Sequence, residues 1–316
     1  MRRALAGALA AMLLGAPAPG VLAHGGAPHA SEAKPSASRH RWGADYFPNV
    51  PLFAHDGRKL RFYDDLIKGK SVAINFIYTE CTEVCPLETA VLAQAHKLLG
   101  ERAGRDVHFY SISMDPQRDT PAVLKAYAER FGATWLFLTG APEDIRLLGR
   151  KLGLLRERDA ALQGHHAAQL LIGDEPAGQW TRTSAVDTPA FLVARMGSLL
   201  GWREDPGAQK SYADAKPVTV PNGQRLFASK CSACHSLGKG EGIGPDLAGV
   251  TTRRERAWLA RYIQAPDALR AAGDPVASAL YVKYKKIGMP NLKLGASDVA
   301  DLLSFLEGRT TPARQP

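Results

Sequence analysis

The sequence predicts an α/β domain followed by a small all-α domain. Three observations carry this prediction: short apolar, β-branched runs alternate with helical segments over the first two thirds of the chain, the last third contains only helical patterns, and a polar, Pro-containing segment separates them. Alternating strands and helices are typical of an α/β domain. A chain of 316 residues is long enough for two domains with their own cores.

The elements of the α/β domain follow from local patterns. Its two longest strands are apolar runs of the kind expected for strands buried on both faces, and the last two strands are expected to pair as a terminal hairpin. The predicted strands span residues 71–78, 107–114, 135–138, 169–172 and 179–183. The predicted helices span residues 81–99, 122–131 and 143–152. Thr120 is expected to cap the second helix, with Pro121 at its first position.

The all-α domain is predicted from three amphipathic segments. They span residues 223–229, 254–264 and 297–306. Ser297 is expected to be the N-cap of the last helix. The negative charge of Asp298 in the first turn is expected to interact favourably with the helix dipole.

The domain boundaries follow the changes of composition. Residues 1–23 combine a positive start, an apolar stretch and small residues, the pattern of a secretory signal peptide. They predict export to the periplasm, with an uncleaved membrane anchor as the alternative. The remaining boundaries are a flexible leader at residues 24–41, the α/β domain at 42–202, a linker at 203–221 and the all-α domain at 222–310.

Composition excludes several classes of protein. A hydrophobic fraction of 45% with 22% charged residues is that of an ordinary globular protein, neither disordered nor a polytopic membrane protein. The net charge of +9 comes from scattered Lys and Arg, so no nucleic-acid partner is expected. A moderately basic surface favours acidic redox partner proteins, and membrane association is expected only through partners or an uncleaved signal.

The four cysteines form two close pairs, and the second pair predicts covalently bound haem c. Cys231 and Cys234 are followed directly by His235, the spacing with which two thiols attach haem and the imidazole takes one axial iron position. The alternative is a redox or zinc CxxC site. A zinc site needs two further ligands, yet His235 is the only histidine and these are the only cysteines after residue 166.

The second axial ligand is expected to be Met289, the only methionine of the all-α domain. A thioether raises the reduction potential and suits electron transfer; the alternative is a core methionine. Residues 222–308, with Gly244-Pro245 after the attachment motif, resemble class I cytochrome c. That resemblance implies that the Pro245 carbonyl accepts a hydrogen bond from the axial imidazole.

The first pair, Cys81 and Cys85, follows a predicted buried strand at the start of a predicted helix. Helix N-terminal amides stabilise thiolate, which favours nucleophilic and metal-binding chemistry. At four residues apart on one helical face, the sulfurs can chelate one soft ion or close a small disulfide. Both cysteines are therefore candidates for a redox-active pair.

Residues 48–202 resemble the Sco/SenC family of copper chaperones, through the dithiol segment and the segment from Ser111 to Pro121. The resemblance implies a thioredoxin-like fold and a third copper ligand eight residues before Gly173, at His165, with His166 beside it. Two thiolates and an imidazole suit Cu(I) and tolerate Cu(II). This sequence departs from many family members at two places: Thr82 replaces the proline that often follows the first cysteine, and His165 is followed by a second histidine.

Two acidic residues of the second signature, Asp115 and Asp119, have two open interpretations. They are candidates for admitting copper or docking a partner, and turn or capping roles explain them nearly as well.

The two motifs together predict an exported copper-binding thiol-redox protein that assists copper-site assembly in cytochrome oxidase, with haem for one-electron transfer. It is a metallochaperone rather than an ordinary enzyme, and its expected partner is a copper-containing respiratory oxidase subunit or another exported copper protein. One alternative is an electron carrier whose thioredoxin-like domain docks or senses redox state. Another is a thiol-dependent peroxidase using Cys81.

Overall fold

The computed structural model describes residues 42–155, 168–202 and 219–309. The first two ranges form an α/β domain and the third forms a helical domain, as predicted. The strands of the first domain are β1 (Pro51–Ala54), β2 (Lys59–Arg61), β3 (Ser71–Ile77), β4 (His108–Ser113), β5 (Leu136–Gly140), β6 (Gln169–Asp174) and β7 (Gln179–Ser184). Its helices are α1 (Cys85–Leu99), α2 (Pro121–Phe131), α3 (Pro142–Leu152) and α4 (Pro189–Leu199).

The seven strands form one sheet in the order β2-β1-β5-β4-β3-β6-β7. Strand β4 pairs in parallel with β3 and β5, while β6 runs antiparallel to β3 and to β7. The strand that precedes the dithiol segment therefore lies inside the sheet, between a parallel and an antiparallel neighbour. This is a thioredoxin-like arrangement.

Both faces of β3 are buried, which explains its continuous apolar sequence. Ala73 and Ile77 belong to one hydrophobic cluster with α1, α2 and α4. Val72, Ile74 and Phe76 point to the opposite face and pack in a second cluster. Because successive side chains of a strand point to opposite faces of the sheet, β3 contributes residues to both hydrophobic clusters.

Helix α2 begins as predicted. The Thr120 side chain accepts a hydrogen bond from the Val123 amide, and Pro121 takes the first helical position. Gly132 ends the helix with a left-handed φ of 63°, the conformation that favours glycine after a helix C-terminus.

Helix α1 begins at Cys85 rather than at Cys81, so the predicted start is wrong. A helix from Cys81 would place Pro86 inside it, where a proline removes a hydrogen bond and clashes with the carbonyl of residue 82. With the start at Cys85, Pro86 lies in the first turn, where its missing N–H costs nothing.

Other details also differ from the sequence prediction. The short strands β1 and β2, of which β2 lies at the edge of the sheet, were not expected. Helix α4 was not expected either, and the β6–β7 hairpin is not terminal because α4 follows it and packs against α1. Ser297 is not the N-cap of the last helix. That helix begins at Ala296, after an extended Gly295 that offers no side-chain cap.

The helical domain opens with α5 (Asn222–Leu226), which continues as a wider turn through Cys231. Its other helices are α6 (Val250–Arg253), α7 (Arg256–Gln264), α8 (Pro266–Ala271), α9 (Pro275–Lys283) and α10 (Ala296–Glu307). Helix α10 packs against α5 and α7, and its buried leucines join Phe227 and Cys231 in one core. No helix in the described residues is long and apolar enough to cross a membrane.

Candidate functional sites

The dithiol loop, residues 78–84, connects β3 to α1 and brings the two cysteines together. Cys81 is 5% exposed and Cys85 is fully buried. The Cys85 amide N–H donates to the Cys81 Sγ over 3.4 Å. The two sulfurs meet because the loop folds back on the helix N-terminus, not because they share one helical face as the sequence suggested.

Asp119 holds the dithiol loop in place. Its carboxylate is 1% exposed. It accepts hydrogen bonds from the Thr79 amide at 3.2 Å, from the Thr79 hydroxyl at 2.5 Å and from the Ser113 hydroxyl at 2.6 Å. Asp119 therefore links this loop to the end of β4. This is a structural role, in line with the turn and capping interpretation of the sequence. Asp115 lies nearer the surface and faces Arg118 at 3.7 Å.

The two thiols of the dithiol loop differ in acidity. The hydrogen bond from the Cys85 thiol lowers the pKa of Cys81 to about 5, against the effect of burial, and the amides of Cys85 and Glu83 add to it. Burial raises the pKa of Cys85 well above its usual range, and its bond to Cys81 and the charge of Glu88 act in the same direction. At neutral pH Cys81 is the thiolate and Cys85 the thiol.

Sequence reasoning missed the polar residues that surround this pair. Burial and the neighbouring sulfurs raise the pKa of Tyr78, which keeps its hydroxyl protonated beside Cys81. The Thr89 hydroxyl donates to the Cys85 carbonyl at 2.9 Å and lies 3.1 Å from the Tyr127 hydroxyl. The available signal was spacing: Glu88 and Thr89 lie one helical turn after Cys85 and share its face.

The predicted third copper ligand lies outside the described residues, as does its neighbour. His165 and His166 fall in the gap between residues 155 and 168. Among residues 42–155, 168–202 and 219–309, no three His, Cys, Asp or Glu side chains converge as a metal-binding group. Cys81 and Cys85 are the two sulfur ligands that the described part brings together.

The helical domain contains a cleft that gathers four of the five other predicted site residues, while the fifth, Cys231, is buried in the helical core. Cys234, His235, Pro245 and Met289 all line it. The remaining walls are mainly apolar or aromatic and include Ile243, Tyr262, Leu280, Tyr281, Tyr284 and Ile287.

The cysteines of the helical domain are unlike those of the dithiol loop. Burial raises the pKa values of Cys231 and Cys234 to about 12. The adjacent His235 amide donates to the Cys231 carbonyl at 2.9 Å, so a tight turn presents the attachment motif. The environment stabilises protonated thiols rather than metal-binding thiolates.

The His235 imidazole is held in one orientation. Its Nδ1 donates to the Pro245 carbonyl at 2.9 Å, which leaves Nε2 as the free lone pair. Burial lowers the pKa of His235, so the ring is neutral, although the bond to Pro245 acts in the opposite direction. A Cβ at Gly244 would lie 2.7 Å from His235 Cε1, so only glycine lets the loop approach the ring this closely.

A further acidic residue, which the sequence analysis did not single out, organises the loop after the attachment motif. The Asp246 carboxylate accepts hydrogen bonds from the Gly238 and Ala248 amides, both at 2.8 Å, and from the Gly240 amide and Ser236 hydroxyl, both at 2.7 Å. Desolvation would raise the pKa of Asp246, but these donors hold it well below its usual range.

These residues fit covalently bound haem c. Two protonated cysteines suit thioether attachment, the neutral His235 offers Nε2, and the Met289 thioether lies in the same cleft. The oriented imidazole and its carbonyl partner form the pair typical of metal-ligating histidines. Bound in this cleft, haem would supply one-electron transfer.

The dithiol loop and the cleft are neighbours. Pro86, which follows Cys85, forms part of the cleft wall. Ile243 and Ile287 of the helical domain pack against the hydrophobic cluster that contains both Cys81 and Cys85. At the rim, Lys293 Nζ lies 3.3 Å from Glu83 Oε1.

Comparison with known proteins agrees with this division. The SCO1/SenC family model matches residues 45–199, and the cytochrome c family model matches residues 220–310. Protein SenC of Rhodobacter capsulatus is 33% identical over 147 residues, which cover 45% of this chain and 66% of that protein. Protein SCO1 homolog 1 of Arabidopsis thaliana is 33% identical over 116 residues, or 37% of this chain and 33% of that protein.

Among solved structures, Bradyrhizobium japonicum ScoI with copper bound is 26% identical, with a TM-score of 0.40 over 48% of this chain and 99% of that one. The chain spans no more than two thirds of the length of either curated relative. The family matches, the thioredoxin-like sheet and the cleft support one conclusion. Residues 45–199 form a SCO1/SenC domain, and residues 220–310 form a cytochrome c domain.

Proposed function

We propose that this protein is an exported copper-binding thiol-redox protein that assists copper-site assembly in cytochrome oxidase and exchanges single electrons through its own haem. The observation that carries the proposal is the position of Pro86. This residue belongs to the first turn of the helix that begins with Cys85, and it also forms part of the haem cleft wall. A copper ion on the dithiol pair would therefore lie beside the haem.

Copper is the cargo of the proposed site. The Cys81 thiolate and the Cys85 sulfur supply two soft ligands, and His165 is proposed as the third, with His166 as the alternative. Two sulfurs and one imidazole give a coordination that suits Cu(I) and tolerates Cu(II). Binding would require the Cys85 thiol to lose its proton, because the metal ligand is the thiolate.

Electron counting supports a partnership of copper and haem. Haem c and the Cu(I)/Cu(II) couple each exchange one electron, whereas a dithiol that forms a disulfide releases two. Direct exchange between copper and haem is therefore balanced in one step. Reduction of a Cys81–Cys85 disulfide would need two successive haem turnovers or an outside dithiol.

The client and the compartment rest on similarity and on the N-terminal pattern. A relative of the first domain is named SenC, and a solved ScoI structure carries copper. The match to the SCO1/SenC family is the basis on which a copper-containing cytochrome oxidase subunit is proposed as the client. Residues 1–23 have the signal-peptide pattern, so the exported protein is expected to begin at His24, which N-terminal sequencing of the periplasmic fraction would test.

The decisive experiment is an anaerobic titration of the holoprotein with Cu(I) and Cu(II) while the haem absorption bands are recorded. We expect one copper ion per chain, and Cu(II) addition to reduced haem should oxidise the haem stoichiometrically. Cys81→Ser and Cys85→Ser should abolish tight Cu(I) binding, and His165→Ala should weaken it. Thr82→Ala, in the same loop, is the matched control that should retain binding.

Two results would contradict the proposal. Undiminished Cu(I) binding in all three ligand variants would exclude this copper site. Normal copper binding with unchanged haem bands would leave two independent modules, the behaviour expected of the electron-carrier alternative. His166→Ala, measured alongside His165→Ala, identifies which imidazole binds.

A thiol-dependent peroxidase is the second candidate, and the lowered pKa of Cys81 favours it because the thiolate attacks peroxides. In that case peroxide should oxidise the reduced haem through Cys81. Stopped-flow mixing of the copper-free protein with hydrogen peroxide distinguishes the two, since a rate unaffected by Cys81→Ser would rule out the peroxidase.

A further inference from the structure

A second cavity lies where the cytochrome c domain meets the dithiol loop, and it shares part of its wall with the haem cleft, namely Pro86, Arg270, Tyr281, Ile287 and Gly288. It has a volume of about 380 Å³, within the range of small-molecule sites. Cys81 and Thr82 line one side of it, while Tyr281 and Gly288 line the other. Residues of both domains are therefore needed to form this space.

The charged side chains that line the cavity are mostly cationic. Arg130 comes from the end of α2, whereas Arg270 and Lys286 come from the cytochrome c domain. The single acidic residue in the lining, Glu80, is 69% exposed and is held by Arg118 at 3.2 Å. The cavity therefore presents an excess of positive charge beside the Cys81 sulfur.

Two of the three cations, Arg130 and Lys286, lie outside the lining of the haem cleft. Within the described ranges, none of the three has a carboxylate partner among the ion pairs. Arg130 and Arg270 stack instead on tyrosines, with the guanidinium carbon 5.2 Å from the Tyr127 ring centroid and 4.5 Å from that of Tyr281. The Arg130 Nε is buried and has no hydrogen-bond partner in the described part of the chain. A buried donor left unpaired is costly, so this cavity suits an acceptor.

Backbone strain also occurs at this wall. Lys286 has a φ of 59° and its neighbour Lys285 a φ of 54°, the left-handed region that non-glycine residues seldom adopt. The fold accepts this cost in the loop that leads to Met289, and the strained turn places Lys286 in the lining of the cavity.

From these observations we infer that the cavity binds a small anionic disulfide, or the corresponding thiol, and presents it to Cys81. This inference rests on the proposed thiol-redox function and names its substrate class. The cations recognise carboxylates of the ligand, and a cavity of this size accommodates a small molecule. A positive cleft with low-dielectric walls also concentrates anions and accelerates their association.

The reaction is a balanced thiol–disulfide exchange. The Cys81 thiolate attacks one sulfur of the ligand R–S–S–R, the ligand bond breaks, and one R–S⁻ leaves as the mixed disulfide forms. The Cys85 sulfur then gives up its proton to solvent and attacks the Cys81 sulfur, which releases the second R–S⁻ and closes the Cys81–Cys85 disulfide. Two electrons pass from the protein to the ligand, and the reverse sequence reduces the protein.

The test compares two disulfides of similar size on the copper-free holoprotein with reduced dithiol. The probes are 3,3′-dithiodipropionate, a dianion, and 2-hydroxyethyl disulfide, which is neutral. Haem attachment consumes Cys231 and Cys234, so Cys81 and Cys85 are the only reactive cysteines of the chain. Quenched intact-mass spectrometry gives the rate of mixed-disulfide formation for each probe.

We expect the anionic probe to react about tenfold faster than the neutral one, with a saturating concentration dependence. Arg130→Gln and Lys286→Gln should each lower this ratio about threefold or more, and added salt should lower it in the wild type. Arg256→Gln removes the same charge from an exposed pair with Glu307 and should leave the ratio unchanged. Both probes are measured on the same protein sample, so a misfolded fraction lowers both rates equally and does not alter the ratio of the two rates.

A ratio near one in the wild type, or one that Arg130→Gln and Lys286→Gln leave intact, would overturn the inference. An equal loss of both rates in these variants would also overturn the inference. It would mean that the cations only change the reactivity of the Cys81 thiolate, which affects both probes equally. The copper titration is independent of these rates, so a failure here is distinguishable from a failure of the proposed copper function.

Discussion

The same residue type serves two chemistries in this protein, and the difference lies in a few hydrogen bonds. Cys81 and Cys231 are both buried, at 5% and 7% exposed, yet the pKa of Cys81 is lowered to about 5 and that of Cys231 is raised to about 12. Desolvation acts on both in the same direction. Donors from Cys85 and from the amides of the dithiol loop outweigh it only at Cys81.

The pH dependence of alkylation tests this asymmetry at Cys81. The thiolate fraction falls only as pH decreases through about 5, so iodoacetamide should modify Cys81 of the reduced, copper-free protein at a nearly constant rate between about pH 6 and 8. Cys85→Ala removes the strongest donor and should move the midpoint upward, whereas Cys85→Ser keeps a hydroxyl donor and should move it less. A rate that rises about tenfold per pH unit in the wild type, as for an ordinary thiol, would contradict the assignment.

Asp119 is the residue whose loss should loosen the dithiol loop. Asp119→Ala leaves the Thr79 and Ser113 donors buried without their acceptor. We expect the free energy of unfolding to fall by about 2–4 kcal/mol and Cu(I) affinity to fall with it. Asp115→Ala is the matched control, because that carboxylate is more exposed and its loss should cost less than about 0.5 kcal/mol. Chemical denaturation followed by far-UV circular dichroism measures both variants.

At the scale of elements, local chemistry explains which sequence predictions succeeded. Helix α2 could be located because Thr120 and Pro121 are adjacent, and a cap and a helix-opening proline act on their own neighbours. The start of the next helix was predicted too early, at Cys81, because the position of Pro86 was not taken into account. Strands β1 and β2 span only four and three residues, too short for a periodic signal.

The loop that carries Gly244 should control the haem environment. Gly244→Ala would place a methyl group 2.7 Å from His235 Cε1, so either the ring or the Pro245 carbonyl must move. We expect covalent haem incorporation to fall severalfold, or the haem absorption bands to shift in the protein that matures. Gly242→Ala is the control in the same loop, since its Cβ would meet only the Cys234 carbonyl at 3.6 Å. Equal haem content and identical spectra in the two variants would show that this close approach is not needed.

At the scale of the whole molecule, the sequence predicted both sites but not their contact. The CxxxC and CxxCH spacings are local signals that name the chemistry of each domain. Ile287 packs against a cluster that contains Cys81 and Cys85, some 200 residues earlier in the chain. The sequence around Ile287 cannot reveal this contact, because an apolar residue there is equally expected in the core of its own domain. The cationic cavity likewise exists only in the folded pair.

The contact between the domains predicts that they unfold together and that its disruption separates them. Ile287→Asp introduces a charge where Ile287 packs against the cluster of Cys81 and Cys85, and burial of an unpaired charge is strongly unfavourable. We expect coincident transitions in the wild type when far-UV circular dichroism and haem absorbance are followed on heating. In Ile287→Asp the two probes should diverge, and the copper-dependent change in haem oxidation should slow at least tenfold while copper stoichiometry stays at one.

Val282→Asp is the matched control, because Val282 is 69% exposed on α9, the helix just before the loop that carries Ile287. It makes the same substitution and should keep coincident transitions and fast copper-dependent oxidation. Since Ile287 lies two residues from Met289, the thioether-to-iron absorption band must persist in Ile287→Asp for its slow oxidation to count as loss of contact. Two variants with equally coincident transitions and equal oxidation rates would show that the haem and the dithiol loop do not depend on this contact, and electrons would then have to pass between them by another route.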